Sequence, residues 1–142
     1  MPTHVLVVDD DSGTCETLRV LLEDAGYLVL EATDGAVALD VLHTSPDSLV
    51  VLFDYRMPHM DGAALMALAE REHVLVQQHV FVCMTASPMS LPPTLAALLT
   101  HYDVPVVAKP FDIEAMLAVI GQAEERLARL PAPEPVSERH TP

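Results

Sequence analysis

The chain has 142 residues, and its 21 Asp and Glu residues outnumber its 7 Lys and Arg residues, which gives a formal charge of −14 at neutral pH. This length suits one domain with a single core. The acidic balance argues against direct binding to nucleic acid and against docking on an anionic membrane, because both depend on clustered Lys and Arg.

Five short apolar runs recur along the chain, separated by longer stretches with helical spacing. The runs cover residues 5–8, 28–32, 49–53, 80–84 and 104–108. Fivefold alternation of strand-like and helix-like segments is typical of a parallel sheet covered on both faces. The sequence therefore predicts an α/β fold with a doubly wound, five-stranded parallel sheet.

One helix is predicted after each strand. In the first helix, apolar residues recur at i, i+3, i+4 and i+7 between a predicted N-cap at Ser12 and a stop at Gly26. The other helices are predicted at residues 36–43, 63–72, 93–101 and 112–129.

Two of the predicted strands have features of sheet edges. The second ends in Leu30-Glu31 rather than in a continuous apolar run, and the fifth contains Pro105. Proline cannot donate to a ladder of hydrogen bonds and is found at edges. The strand order 2-1-3-4-5 places both strands at the edges.

The last segment differs in composition from the rest. Residues 131–142 contain four prolines and have no apolar periodicity. We therefore expect one domain over residues 1–130, followed by a Pro-rich tail or the start of a linker at 131–142.

The cysteines and the apolar segments indicate the compartment of the protein and whether it is attached to a membrane. Cys15 and Cys83 lie far apart, in a predicted helix and a predicted strand. No segment approaches the ~20 apolar residues that span a bilayer, and residues 1–8 lack the features of a signal peptide. We expect a reduced, cytoplasmic protein that is not attached to a membrane.

Polar residues follow the predicted strands at the points where the strands end. Asp9 and Asp10 follow the first strand, Asp54 the third, Thr85 the fourth and Lys109 the fifth. The carboxyl ends of parallel strands share one rim, and ligands bind there where neighbouring crossovers leave in opposite directions. In the proposed order, strands 1 and 3 form that crevice, so it holds at least three carboxylates.

These residue types favour a phosphoryl site. Two carboxylates ~4 Å apart repel by ~4 kcal/mol at an effective dielectric near 20, which raised pKa values or a bound cation must offset. Oxygen ligands with open positions favour Mg²⁺, which bridges to phosphoryl groups. Lys109 supplies a positive charge and Thr85 a hydroxyl donor for phosphoryl oxygens. A carboxylate can itself attack phosphorus. The pattern thus predicts a Mg²⁺-dependent site with an aspartate nucleophile.

At these positions the chain resembles the receiver domain of two-component response regulators. The matching motifs are VLVVDDD at 5–11, DYRMPHMDG at 54–62, MTA at 84–86 and KPF at 109–111. Four separated motifs in the right order make the resemblance specific, and it covers residues 4 to about 125. It implies the flavodoxin-like receiver fold, for which 2-1-3-4-5 is also the expected strand order.

The resemblance also implies a role for each site residue. Asp54 matches the phosphoacceptor, Asp10 a direct Mg²⁺ ligand and Asp9 a ligand acting mainly through water. The backbone carbonyl of Arg56 matches the remaining protein ligand.

Two further positions match residues that bind the incoming phosphoryl group. They are Thr85 and Lys109, and the Lys109–Pro110 bond is cis in the family. Asp11 is interpreted instead as a carboxylate in the first turn of a helix, favoured by the helix dipole.

The predicted function is that of a phosphorylation-switched receiver, which is not an enzyme beyond its own phosphorylation and dephosphorylation. It would take a phosphoryl group from a histidine kinase or a phosphotransfer protein and signal by contact with an unknown output protein. A stand-alone regulator and a receiver cut from a longer regulator or hybrid kinase both remain open. An aspartyl-nucleophile phosphatase is a third alternative, but such enzymes usually carry a second Asp where this chain has Arg56.

One departure from the family concerns the switch. Many receivers carry Tyr or Phe three residues before the lysine, where this chain has Val106. The helix predicted at 93–101 also lacks Lys and Arg, which form one side of the charged pairs through which winged-helix transcriptional regulators dimerise. We therefore expect a monomer whose activation acts through Thr85 and residues 86–92.

Overall fold

Five buried apolar segments form one parallel sheet. In this computed structural model, which describes residues 2–130, the strands are β1 His4–Val8, β2 Leu28–Ala32, β3 Leu49–Asp54, β4 Val80–Thr85 and β5 Val106–Ala108. Their order is β2-β1-β3-β4-β5 and every neighbouring pair is parallel. Both the predicted fold class and the predicted strand order are confirmed.

Within residues 2–130, six α-helices cover both faces of the sheet; the first five lie between strands, and the sixth follows β5. They are α1 Ser12–Asp24, α2 Gly35–Thr44, α3 Gly62–Arg71, α4 His73–Gln78, α5 Pro93–His101 and α6 Ile113–Ala128. One apolar cluster joins the sheet to α1 and α6, and a second joins the opposite face to α2, α3, α4 and α5. Because β3 is buried along its whole length on both faces, it forms the centre of the molecule.

The edge strands lie where the sequence placed them. β5 is shorter than predicted and begins after Pro105, whose carbonyl accepts a hydrogen bond from the Cys83 N–H at 2.9 Å. The predicted start at residue 104 is therefore wrong. Proline retains its carbonyl acceptor, so Pro105 still bonds to β4 before the ladder begins.

Two local features differ from the sequence prediction. The N-cap of α1 is Asp11 rather than Ser12, since the Asp11 carboxylate accepts from the backbone N–H groups of Gly13 and Thr14. The short helix α4 was not predicted, because six residues are too few to establish a helical period.

The predicted tail at 131–142 lies outside the described residues. Within residues 2–130, no helix has both the length and the apolar character required to cross a membrane.

Candidate functional site

The register of the sheet brings four strand ends to one edge. Val8 is paired with Phe53, Asp54 with Met84, and Thr85 with Ala108. Asp9 directly follows β1, Asp54 and Thr85 end β3 and β4, and Lys109 directly follows β5. The pairing therefore places polar residues that are up to 100 positions apart in the chain beside one another.

Three carboxylates form the acidic cluster at this edge. One oxygen from each of Asp9, Asp10 and Asp54 lies within 4.8 Å of the others. Asp9 is 1% exposed and Asp54 is 8% exposed, whereas Asp10 is open to solvent. The crevice predicted from the ends of the first and third strands thus has its three carboxylates in place.

Lys109 neutralises part of the cluster. Its Nζ lies 2.7 Å from Asp9 Oδ2 and 3.3 Å from Asp54 Oδ2. Burial lowers the pKa of Lys109, but the hydrogen bond that it donates to Asp9 and the charges of the Asp54 and Asp9 carboxylates outweigh that effect and raise the pKa overall. Lys109 therefore stays charged at neutral pH.

The surroundings of Asp54 disfavour its charged form, whereas those of Lys109 favour its charged form. Burial raises the pKa of the Asp54 carboxyl, and the negative charges of Asp9 and Asp10 act in the same direction. The ammonium of Lys109 opposes both effects. The carboxylate of Asp54 is thus poorly solvated, and a cation in the crevice would stabilise it.

Neighbours that the sequence reasoning missed hold Asp9 in place. Asp9 Oδ1 accepts from the backbone N–H of Asp11 at 2.9 Å, and the Cys15 thiol donates to the Asp9 carbonyl at 3.3 Å. The run of three aspartates before a helix indicates the Asp11 cap, but no sequence signal indicates the contact with Cys15. The first bond orients the Asp9 carboxylate, and the second holds the Asp9 backbone.

Thr85 is tied to the loop that follows it. Its hydroxyl accepts from the Ser87 N–H at 3.1 Å, and its carbonyl accepts from the Lys109 N–H at 2.8 Å. Thr85 is 2% exposed. The structure thus brings Thr85 and Lys109 together through the backbone, as their positions at neighbouring strand ends predict.

Arg56 lies two residues beyond Asp54, in the loop of residues 55–61 that leads to α3, and its side chain is exposed. The use of its carbonyl as a ligand stays a prediction. The Lys109–Pro110 bond is cis.

Val106, which stands where many receivers carry an aromatic residue, is partly exposed. Val106, the first residue of β5, is 38% exposed. Tyr102 does not replace the ring at the site, because its hydroxyl donates to Glu70 on α3 at 3.1 Å.

The donor set fits a small divalent cation. The cluster holds three carboxylates, and the Lys109 ammonium beside two of them leaves an excess of two negative charges in the crevice. Oxygen-only ligands with open positions are what Mg²⁺ prefers, since it keeps several of its waters. The acidic cluster is therefore compatible with Mg²⁺.

Comparison with known proteins gives one consistent family. Residues 5–121 match the family described as "Response regulator receiver domain". The transcriptional regulatory protein GlrR of Escherichia coli K12 is 36% identical over 128 residues, which are 89% of this chain and 27% of that protein. The DNA-binding transcriptional regulator NtrC of the same strain is 34% identical over 123 residues, covering 84% of this chain and 24% of its own length. The chain spans about a quarter of the length of these curated relatives.

Solved structures agree with the fold. A CheY-like receiver domain protein from Methanospirillum hungatei JF-1 superposes with a TM-score of 0.73 at 28% identity, covering 90% of this chain and 96% of that one. The signal receiver domain of an HD domain-containing protein from Pseudomonas fluorescens Pf-5 gives a TM-score of 0.76 at 23% identity, covering 90% and 98%. The second likeness bears on the fold alone.

Proposed function

The chain belongs to the response regulator receiver family, and from this premise we propose that Asp54 accepts a phosphoryl group from a histidine kinase or a phosphotransfer protein. The observation that carries the proposal is the position of Asp54. It is a buried carboxylate at the end of the central strand, with Asp9, Asp10 and Lys109 around it.

Asp54 acts as the nucleophile. One carboxylate oxygen forms a bond to phosphorus while the bond between phosphorus and the donor's imidazole nitrogen breaks. The electron pair of that bond stays on the nitrogen, which takes up a proton. The product is an acyl phosphate on Asp54.

Asp9, Asp10, Asp54 and the carbonyl of Arg56 are proposed to hold Mg²⁺. When bound, the ion offsets the negative charge that develops on the phosphoryl oxygens. Both Asp9 oxygens already have protein partners, in the Asp11 N–H and Lys109. This supports a water-mediated role for Asp9 and a direct one for the exposed Asp10.

Lys109 and Thr85 are proposed to bind the transferred group. Lys109 bonds both Asp9 and Asp54, so its ammonium lies beside the proposed acceptor oxygen. The Thr85 hydroxyl is at the neighbouring strand end and keeps a hydrogen that it can donate.

The partners follow from the same chemistry. We propose a phosphorylated histidine as donor, a protein as the output partner and no direct contact with nucleic acid, given the charge of −14. Cys15 and Cys83 are free and buried, which supports a reducing, cytoplasmic setting.

The proposal is tested by incubating the protein with a small acyl-phosphate donor and Mg²⁺ and measuring intact mass. We expect one added phosphoryl group on the wild type, none on Asp54→Asn, and one on the control Asp40→Asn, whose side chain is exposed on α2. Full labelling of Asp54→Asn, or an unlabelled wild type, would refute the assignment.

A further inference from the structure

The first residue of α2 lies in unusually close contact with the loop of residues 55–61. A Cβ placed on Gly35 would lie 2.7 Å from Met60 Cγ, 2.8 Å from Met60 Sδ and 2.9 Å from the Met60 carbonyl oxygen. Side-chain atoms of Met60 can move at little cost, since methionine has three rotatable bonds. The carbonyl oxygen belongs to the backbone, so relief of that contact requires the loop itself to shift.

The same loop is tied to the sheet at both of its ends. The Tyr55 N–H donates to the Met84 carbonyl at 2.9 Å, and the Gly62 N–H donates to the Tyr55 carbonyl at 2.8 Å. Gly62 also packs against the Phe53 ring, where a Cβ would lie 2.9 Å from the ring carbons. The ends of the loop are therefore fixed by β3 and β4, and its outer half rests on α2.

Arg56, whose carbonyl is a proposed ligand, lies between these two supports. Met57 beside it is 9% exposed and packs in the core cluster with Ala38 of α2. A shift of residues 57–60 away from α2 would therefore be passed to Arg56. Mg²⁺ tolerates such a shift poorly, because it requires near-ideal octahedral geometry.

We propose that Gly35 is a positioning residue for the phosphorylation site. Because Gly35 has no side chain, Met60 can pack directly against α2. This contact fixes the position of the 55–61 loop relative to Asp54. The inference rests on the proposed function and adds a residue on α2, which lies outside all four motifs that define the site.

The experiment measures the Mg²⁺ dissociation constant of Gly35→Ala and of the double variant Gly35→Ala/Met60→Ala by calorimetric titration of the intact chain. Removing residues that orient metal ligands typically weakens metal binding about 10–100-fold, and we expect at least about tenfold for Gly35→Ala. Gly121→Ala is the matched control, because it adds the same methyl group where no atom beyond the adjacent residues and the nearby backbone of α6 lies within 4 Å. Its dissociation constant should equal that of the wild type.

A merely structural role for Gly35 would lower the melting temperature and leave the Mg²⁺ affinity of the folded protein unchanged. An affinity for Gly35→Ala within twofold of the wild type would therefore overturn the proposal. Should Gly35→Ala fail to fold, the double variant Gly35→Ala/Met60→Ala decides, since it removes the overlap with Met60 Cγ and Sδ and keeps the overlap with the Met60 carbonyl oxygen. Unchanged affinity in this double variant would then refute the proposal. A wild type that binds no Mg²⁺ refutes the proposed function first and this inference with it.

Discussion

The buried polar groups at the two ends of the sheet differ in charge and in hydrogen bonding. At the amino end, His79 is 1% exposed, accepts from the Leu49 N–H at Nδ1 (3.0 Å) and faces the Leu42 carbonyl with Nε2 (3.3 Å). A backbone N–H can only donate and a carbonyl can only accept, so His79 is neutral with its proton on Nε2. At the carboxyl end, the ammonium of Lys109 pairs with Asp9 and Asp54, and the nearby carboxylate of Asp10 adds a third negative charge.

This difference separates a structural group from a ligand site. Both ring nitrogens of His79 have partners within the protein, so this side chain has no polar atom left for a ligand. The carboxyl end retains excess negative charge, and that excess favours the binding of a cation. Changes at the amino end should therefore affect stability, whereas changes at the carboxyl end should affect binding and phosphorylation.

The largest expected effect on stability is that of His79→Ala. The change leaves a cavity and removes the partners of two buried backbone groups, and we expect a loss of about 2–4 kcal/mol in the free energy of unfolding. Chemical denaturation measures this loss. His101→Ala, at an exposed position on α5, is the control and should change stability by less than about 0.5 kcal/mol. Weakened Mg²⁺ binding in the folded His79→Ala protein would contradict the separation of the two ends.

Mg²⁺ should stabilise the protein through the carboxyl end alone. At a concentration of 100 times the dissociation constant, binding to the folded state adds about 2.7 kcal/mol. Asp10→Ala should remove this gain, and Asp24→Ala, at an exposed acid ending α1, should retain it. Thermal unfolding with and without Mg²⁺ measures the gain. A melting temperature that does not change with millimolar Mg²⁺ would contradict the proposed Mg²⁺ site.

The two ends should respond to acid with opposite signs. Burial lowers the pKa of His79, so the unfolded chain takes up that proton first and stability falls as the pH drops below 6.5, by up to about 1.4 kcal/mol per pH unit. Burial raises the pKa of Asp54, so the folded protein takes up that proton before the unfolded chain does. Stability therefore rises as the pH falls through the raised value. Denaturation of the wild type and of His79→Gln between pH 7 and pH 5 measures the histidine contribution as their difference. Parallel curves would show that His79 does not titrate on unfolding.

Lys109→Ala should affect phosphorylation more than metal binding. The change removes the charge beside the acceptor oxygen but leaves all three carboxylates, so we expect slow or uncoupled phosphorylation with Mg²⁺ binding retained. Rates of labelling at saturating Mg²⁺, with a parallel titration of the metal, distinguish the two effects. Loss of Mg²⁺ affinity would mean that the pocket is misassigned.

The smallest expected effect is on the oligomeric state. α5 carries no Lys or Arg and Val106 provides no ring, so a phosphoryl mimic such as beryllofluoride should leave the sedimentation coefficient that of a monomer. A shift to a dimer that Ala97→Glu on α5 abolishes would contradict this expectation.

Local sequence patterns were sufficient to predict the strands, most of the helices and the residues at the carboxyl end of the sheet. Apolar runs and helical spacing are local properties, and polar residues that directly follow buried strands must share a rim in a parallel sheet. Asp9, Asp54, Thr85 and Lys109 could all be placed in this way. The N-cap at Asp11 was within reach of the same reasoning but was assigned one residue late.

The contacts that those residues make follow from the packing of the folded chain. The pairing of Lys109 with Asp9, the seat of Met60 on Gly35 and the bonds of His79 to Leu42 and Leu49 all join distant parts of the chain. Such contacts depend on how the helices pack on the sheet, and the periodicity of apolar residues in the sequence does not predict that packing. A lone histidine or glycine in the sequence therefore carries no sign of its role, because that role is set by atoms that folding brings within 3–4 Å.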